Sequence, residues 1–111
     1  MKRVLFVCSG NLDRSPTAEE MFRERSDLEV RSAGTSLLSA LRTRLSRDLV
    51  GWADVIFVME DHHAEYIAQR LGMPEALKKV IVLNIPDRYR KNDPELRRLL
   101  RERVTSHLDV R

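Results

Sequence analysis

The sequence predicts an α/β fold: a four-stranded parallel sheet with helices on both faces, a three-layer sandwich. Two observations carry this. Short apolar runs alternate with stretches of helical periodicity, in the order βαβαβαβα. The apolar runs are also continuous, as in Val4-Leu5-Phe6-Val7 and Val55-Ile56-Phe57-Val58-Met59. A strand that is apolar at every position is one buried on both faces, as in a parallel sheet covered by helices.

Each element has its own signal. Residues 3–8 read as a strand. Residues 15–26 read as a helix, with Ala18, Met21, Phe22 and Arg25 at helical spacing, Ser15 as N-cap and Pro16 at the first helical position. Residues 28–32 form a second strand, ended by Gly34. Leu38, Leu41, Leu45 and Leu49 share one face of a helix expected near 36–50. Val55 to Met59 is a third strand. A helix carrying Ala64, Ile67, Ala68 and Leu71 follows it and stops at Gly72, and Met73 to Lys78 reads as a short helical turn. Lys79 to Asn84 is the fourth strand and 85–93 a loop. Pro94 opens a last helix bearing Leu96, Leu99, Leu100, Val104 and Leu108. No repeat or linker interrupts the pattern.

The chemistry gathers at the end of the first strand. The chain's one cysteine, Cys8, begins the string Cys8-Ser9-Gly10-Asn11-Leu12-Asp13-Arg14-Ser15-Pro16. A strand, a short loop and a helix start hold a thiol and a guanidinium together. Backbone N–H groups of such a loop, with a helix dipole behind them, form a concavity that prefers an anion. The same field favours thiolate over thiol, the form in which sulfur attacks. Arg14 adds a planar fork matched to phosphate oxygens. A single cysteine closing a core strand is ordinarily inert. The glycine, asparagine, arginine and Ser-Pro around this one argue for a nucleophile beside a phosphate cradle.

The string Cys8 to Glu19, CSGNLDRSPTAE, resembles the phosphate-binding loop of the low-molecular-weight protein tyrosine phosphatases. The resemblance continues, in order along the chain, in Arg31-Ser32-Ala33-Gly34-Thr35, in Ala53 to Met59 and in Asp87-Arg88-Tyr89. It implies a single phosphatase-like domain over residues 1–111 and strand order 2-1-3-4. It also implies a metal-independent hydrolysis of phosphomonoesters through a phosphocysteine on Cys8, without cofactor. Arg14 then clamps the phosphoryl oxygens, and Ser15 bonds the sulfur and steadies it as a leaving group. Ser9, Gly10, Asn11, Leu12 and Asp13 complete the loop, with Asn11 and Ser32 as its buttress. Asp87 is the expected general acid and Tyr89 the expected wall for an aromatic ring. Phosphotyrosine or a similar aryl phosphate is the implied substrate, presented on a protein or as a small molecule, with phosphate and vanadate as inhibitors.

Three departures from the family pattern stand out. Asp13 occupies a position where many members carry a second cysteine, and a carboxylate there opposes both thiolate and incoming phosphate. Arg88 replaces the usual proline of the acid loop. The stretch between Thr35 and Trp52 is short, which implies a shallow acceptor pocket. Leu12 favours aryl phosphate, since related phosphoarginine enzymes place threonine there. Asp93, just before Pro94, is expected to cap the last helix.

Composition narrows the class further. With 111 residues the chain suits one core, and 42% hydrophobic with 33% charged residues suits a soluble protein. The longest apolar run is too short to cross a bilayer. Met1-Lys2-Arg3 leads straight into a strand, with no signal-peptide pattern. A lone reactive thiol suits a reducing compartment, so the expected location is cytoplasmic. The net charge of +3 falls largely on helical arginines such as Arg97, Arg98, Arg101 and Arg103, read as a solvated face. No aromatic-interleaved basic patch calls for nucleic acid. The adjacent His62 and His63 read as a solvated helix start rather than a metal site. A cysteine phosphocarrier or a non-catalytic phosphate-binding module with the same loop are the alternatives, and neither needs Arg14 together with Asp87.

Overall fold

The computed structural model describes residues 1–37 and 42–108. Four parallel strands, β1 (Lys2–Cys8), β2 (Leu28–Gly34), β3 (Val55–Val58) and β4 (Val80–Val82), form one sheet in the order β2-β1-β3-β4. That is the order 2-1-3-4 implied by the family resemblance. Central β1 pairs with both β2 and β3, so Cys8 lies level with Gly34 and Val7 with Val58. The carboxyl ends of three strands therefore meet beside the cysteine, at the point where strand order reverses.

Alternate residues of β1 explain its unbroken hydrophobicity. Val4, Phe6 and Cys8 pack with α1 (Arg14–Phe22) and α4 (Pro94–Leu108) on one side of the sheet. Phe6 stacks on Phe57 at 5.5 Å, and lies 5.7 Å from Phe22. Leu5 and Val7 face the opposite cluster, with Val50 of α2 (Arg47–Trp52) and Ile67. Helix α3 (Asp61–Glu65) opens that layer's second helical segment. It runs on as a π-helical turn, Tyr66–Arg70, before Gly72 at φ 67° stops it, a left-handed turn that glycine adopts without strain. A 3₁₀ turn, Pro74–Lys79, leads into β4. No helix among the described residues is long and apolar enough to cross a membrane.

The first helix begins one residue earlier than expected, at Arg14, and ends at Phe22, so Arg25 falls outside it. Ser15 is inside the first turn and is not the cap. Of the helix expected over 36–50, the described residues show the short α2. Arg44 instead forms a parallel bridge with Gly34, and bonds from Gly34 N to Thr43 O and from Leu45 N to Gly34 O hold extended backbone there. Leu45 is buried on that extended segment; Leu38 and Leu41 lie outside the described residues. Asp93 accepts a hydrogen bond from Glu95 N at 2.8 Å, closing the start of α4. On α4, Arg98 is exposed between Glu95 and Glu102. Arg103 is not merely solvated, because its Nη1 donates to the carbonyls of Leu83 and Asn84 and ties α4 to the end of β4.

Candidate active site

Cys8 ends β1 and is 2% exposed. The following loop is turned by two backbone bonds, Thr35 N to Cys8 O and Ser36 N to Ser9 O. In a trans peptide the next N–H points opposite to the carbonyl, so these bonds aim the Ser9 and Gly10 amides away from residues 35–36. Asn11 then takes a left-handed conformation, φ 55°, which asparagine adopts more readily than most residues.

Asn11 holds this shape through its side chain. Its Nδ2 donates to Ser15 Oγ at 2.9 Å and to Ser32 Oγ at 3.0 Å, and its Oδ1 accepts from Thr43 N. Ser32 passes its own hydrogen to Glu19 at 2.6 Å. Ser15 Oγ lies 3.0 Å from Cys8 Sγ. An ionised sulfur can only accept, so against a Cys8 thiolate the Ser15 proton goes to the sulfur, the alternative acceptor at Ala33 O being farther, at 3.5 Å. A hydroxyl that donates to sulfur steadies the thiolate.

Arg14 is 1% exposed. Its Nη1 donates to Glu60 Oε2 at 2.6 Å and to Ile85 O at 2.8 Å. Burying a guanidinium requires such a countercharge. Burial pushes the Glu60 carboxyl up, but the Arg14 hydrogen bond and charge outweigh it and hold Glu60 below its usual range. With Nη1 donating to both of these acceptors, Nε and Nη2 form an edge whose geometry suits bidentate contact with a phosphate. Asp87 Oδ1 is 3.7 Å from Nε, with its side chain 64% exposed.

A cavity of about 260 Å³ opens over these groups, lined by Cys8, Ser9, Gly10, Leu12, Asp13, Arg14, Ser36 and Asp87. The strand end, the loop after it and the loop after β4 thus share one crevice. Asn11 and Ser15 brace it from behind. Asp13 Oδ1 is turned to Lys91 N, 2.9 Å away, rather than committed to the sulfur. Tyr89 does not line the cavity; it packs against the α1–α4 core with the Arg88 guanidinium 5.4 Å from its ring.

Two of the residues that brace the site escaped sequence reasoning, as did Ser36 in the cavity lining. One is Glu60. The other is His63, expected at a solvated helix start and found fully buried, while His62 is exposed. His63 Nδ1 accepts from Glu60 N at 3.0 Å, so the neutral ring carries its proton on Nε2 and donates to Ser9 Oγ at 2.9 Å. Burial, aided by the His62 and Arg14 charges and opposed by Glu60, pushes His63 down to about 3. Ligand-type atoms of Glu60, His62 and His63 lie within 4.8 Å of one another. Both His63 nitrogens and the Glu60 oxygen are committed to the bonds above, which makes the cluster a brace for the loop.

The lowered value fixes a pH dependence. Between pH 6.5 and about 3 the unfolded chain protonates this histidine and the folded chain does not, so stability present above 6.5 falls as pH falls. Urea midpoints measured from pH 7 to 5, above the carboxylate range, are expected to decline in the native protein and less steeply in His63→Gln. Equal slopes would mean that His63 is not held neutral.

The family model for low molecular weight phosphotyrosine protein phosphatase matches residues 3–48. The chain is similar to the Escherichia coli (strain K12) low molecular weight protein-tyrosine-phosphatase Wzb, at 32% identity over 80% of this chain and 79% of that one. It is also similar to the Bacillus subtilis protein-arginine-phosphatase, at 30% identity over 62% of this chain and 63% of that one. Among solved structures, the tyrosine phosphatase Wzb from Escherichia coli K30 in complex with phosphate superimposes with a TM-score of 0.75 at 27% identity, covering 96% of this chain and 95% of that one. A cysteine and an arginine facing one crevice at the carboxyl edge of a 2-1-3-4 sheet, and this likeness over four-fifths of the length, have one explanation: the chain belongs to the low molecular weight protein-tyrosine-phosphatase family.

Proposed function

We propose that the chain hydrolyses phosphomonoesters through a phosphocysteine on Cys8, with aryl phosphates such as phosphotyrosine as the preferred class and residues 1–111 acting as one phosphatase-like domain. The observation that carries this is the single cavity onto which Cys8, Arg14 and Asp87 all open. Cys8 attacks phosphorus as the thiolate, aided by the Ser15 hydroxyl at 3.0 Å. The loop amides and the Arg14 edge bind the equatorial oxygens as charge develops on them. Asp87 protonates the leaving oxygen, then takes a proton from the water that cleaves the phosphorus–sulfur bond. Every step uses groups of the chain itself, so no cofactor or metal is needed, and a thiol of this kind works best in a reducing compartment such as the cytoplasm.

Leu12 supports the aryl preference. It lies on the cavity and is 46% exposed, an apolar surface on which an aromatic ring can rest. The Bacillus subtilis relative is named for phosphoarginine, which makes that the competing substrate class. The discriminating experiment compares phosphate release from peptides bearing phosphotyrosine, phosphoserine and phosphoarginine, in EDTA. Highest kcat/KM on phosphotyrosine, with competitive inhibition by vanadate, is expected. Faster release from phosphoarginine would reassign the substrate, and dependence on added divalent metal would overturn the mechanism.

A further inference from the structure

The acid loop is pinned at two points, and both belong to the first turn of α1. Its near end is held where Ile85 O receives the Arg14 hydrogen bond at 2.8 Å. Its far end is held at two successive amides. Lys91 N donates to Asp13 Oδ1 at 2.9 Å, and Asn92 N donates to Thr17 Oγ1 at 2.9 Å. The Thr17 hydroxyl hydrogen goes in turn to Asp13 O at 2.7 Å, so the two acceptors are linked. Asn92 stands at φ 65°, and Lys91 Nζ reaches Glu20 at 3.1 Å. Residues 86–90, with Asp87 among them, form an arch between these feet.

From this geometry we infer that Asp13 is a positioning residue: its carboxylate fastens the acid loop to the phosphate loop and sets Asp87 over the reacting bond. The inference rests on the reading of Asp87 as general acid and deepens it. Arg14 follows Asp13 directly in the chain, so one helix turn sets the guanidinium and the acid relative to each other. A carboxylate beside an anion site weakens phosphate binding through its charge. Its hydrogen bond to the loop gives that charge a use. A cysteine side chain at the same position is a poor acceptor for an amide and does not supply it.

Two variants separate charge from tether. Asp13→Ala and Asp13→Asn both remove the charge, but only asparagine keeps an oxygen for Lys91 N. In Asp13→Ala, the Lys91 amide is expected to exchange its hydrogen at least about tenfold faster, with β1 amides unchanged. Activity on phenyl phosphate, a poor leaving group, is expected to fall about tenfold more than activity on p-nitrophenyl phosphate. Asp13→Asn is expected to return both readouts close to native. Placed in an Asp87→Asn background, Asp13→Ala is expected to add no leaving-group-dependent loss. Unchanged Lys91 exchange, equal losses on the two substrates, or failure of asparagine to rescue would overturn the tether. If Asp87→Asn alone shows no leaving-group dependence, the acid assignment falls, while amide exchange and its rescue still decide whether Asp13 holds the loop.

Discussion

Cys8→Ser is expected to lose turnover on aryl phosphates by more than about 10⁴-fold, the scale on which removal of a covalent nucleophile falls. A serine hydroxyl in this place has no base to take its proton. The Ser15 hydroxyl that faces this position, and that also accepts from Asn11, is a neutral alcohol and too weak a base to take that proton. Asp87 must enter the first step protonated, so it is not available as a base either. The loop amides and Arg14 remain, and phosphate is therefore expected to bind Cys8→Ser with affinity close to native. Calorimetry with inorganic phosphate separates this result from misfolding. Full turnover in Cys8→Ser would refute a cysteine mechanism outright.

The features legible in the sequence are local in the chain. The strand, the loop and the helix start that carry Cys8 and Arg14 are contiguous, and continuous apolar runs reveal a strand buried on both faces. The partners that hold the loop are not contiguous. Glu60 meets Arg14 from a sequence distance of 46 residues, and His63 meets Ser9 from 54. Both arrive because β3 lies parallel to β1 in a register that levels Val58 with Val7, so the segment after β3 lands beside the loop after β1. A histidine next to another histidine after two acids reads as solvent-facing by composition alone. Only the register shows that the second one is enclosed.

Residues 43–45, within the stretch expected to be helical, depart from that pattern for a different reason. Leu38, Leu41, Leu45 and Leu49 keep helical spacing, yet the backbone between Thr43 and Leu45 pairs with Gly34 and extends β2's edge. Thr43 N is also needed by Asn11 Oδ1. Periodicity cannot weigh those long-range bonds, and here they govern the backbone conformation. Ser15 departs from the capping pattern on similar grounds. Its hydroxyl is committed to Cys8 and Asn11, and it sits inside the first turn of α1 behind Asp13, so it does not cap that helix.

Asp87→Asn is expected to lower kcat by roughly 10²–10⁴-fold on substrates with poor leaving groups, the usual worth of a positioned acid. Two carboxylates share the loop after β4, and their surroundings divide the roles. Asp87 lines the cavity over Cys8, 3.7 Å from Arg14 Nε, and its side chain is 64% exposed, open to an incoming ester and to water. Asp93 is occupied by Glu95 N at 2.8 Å, at the start of α4 and away from the lining of that cavity. An acid matters in proportion to the basicity of the oxygen it protonates. The loss in Asp87→Asn is therefore expected to shrink on p-nitrophenyl phosphate, whose leaving group departs with little help, and to grow along a series of less acidic phenols. Asp93→Asn is expected to change neither substrate by more than about twofold, since asparagine caps a helix about as well as aspartate. Steady-state kinetics across that phenol series decides the matter. A larger leaving-group-dependent loss at Asp93 would transfer the acid role to it, and with it the direction from which the leaving group departs.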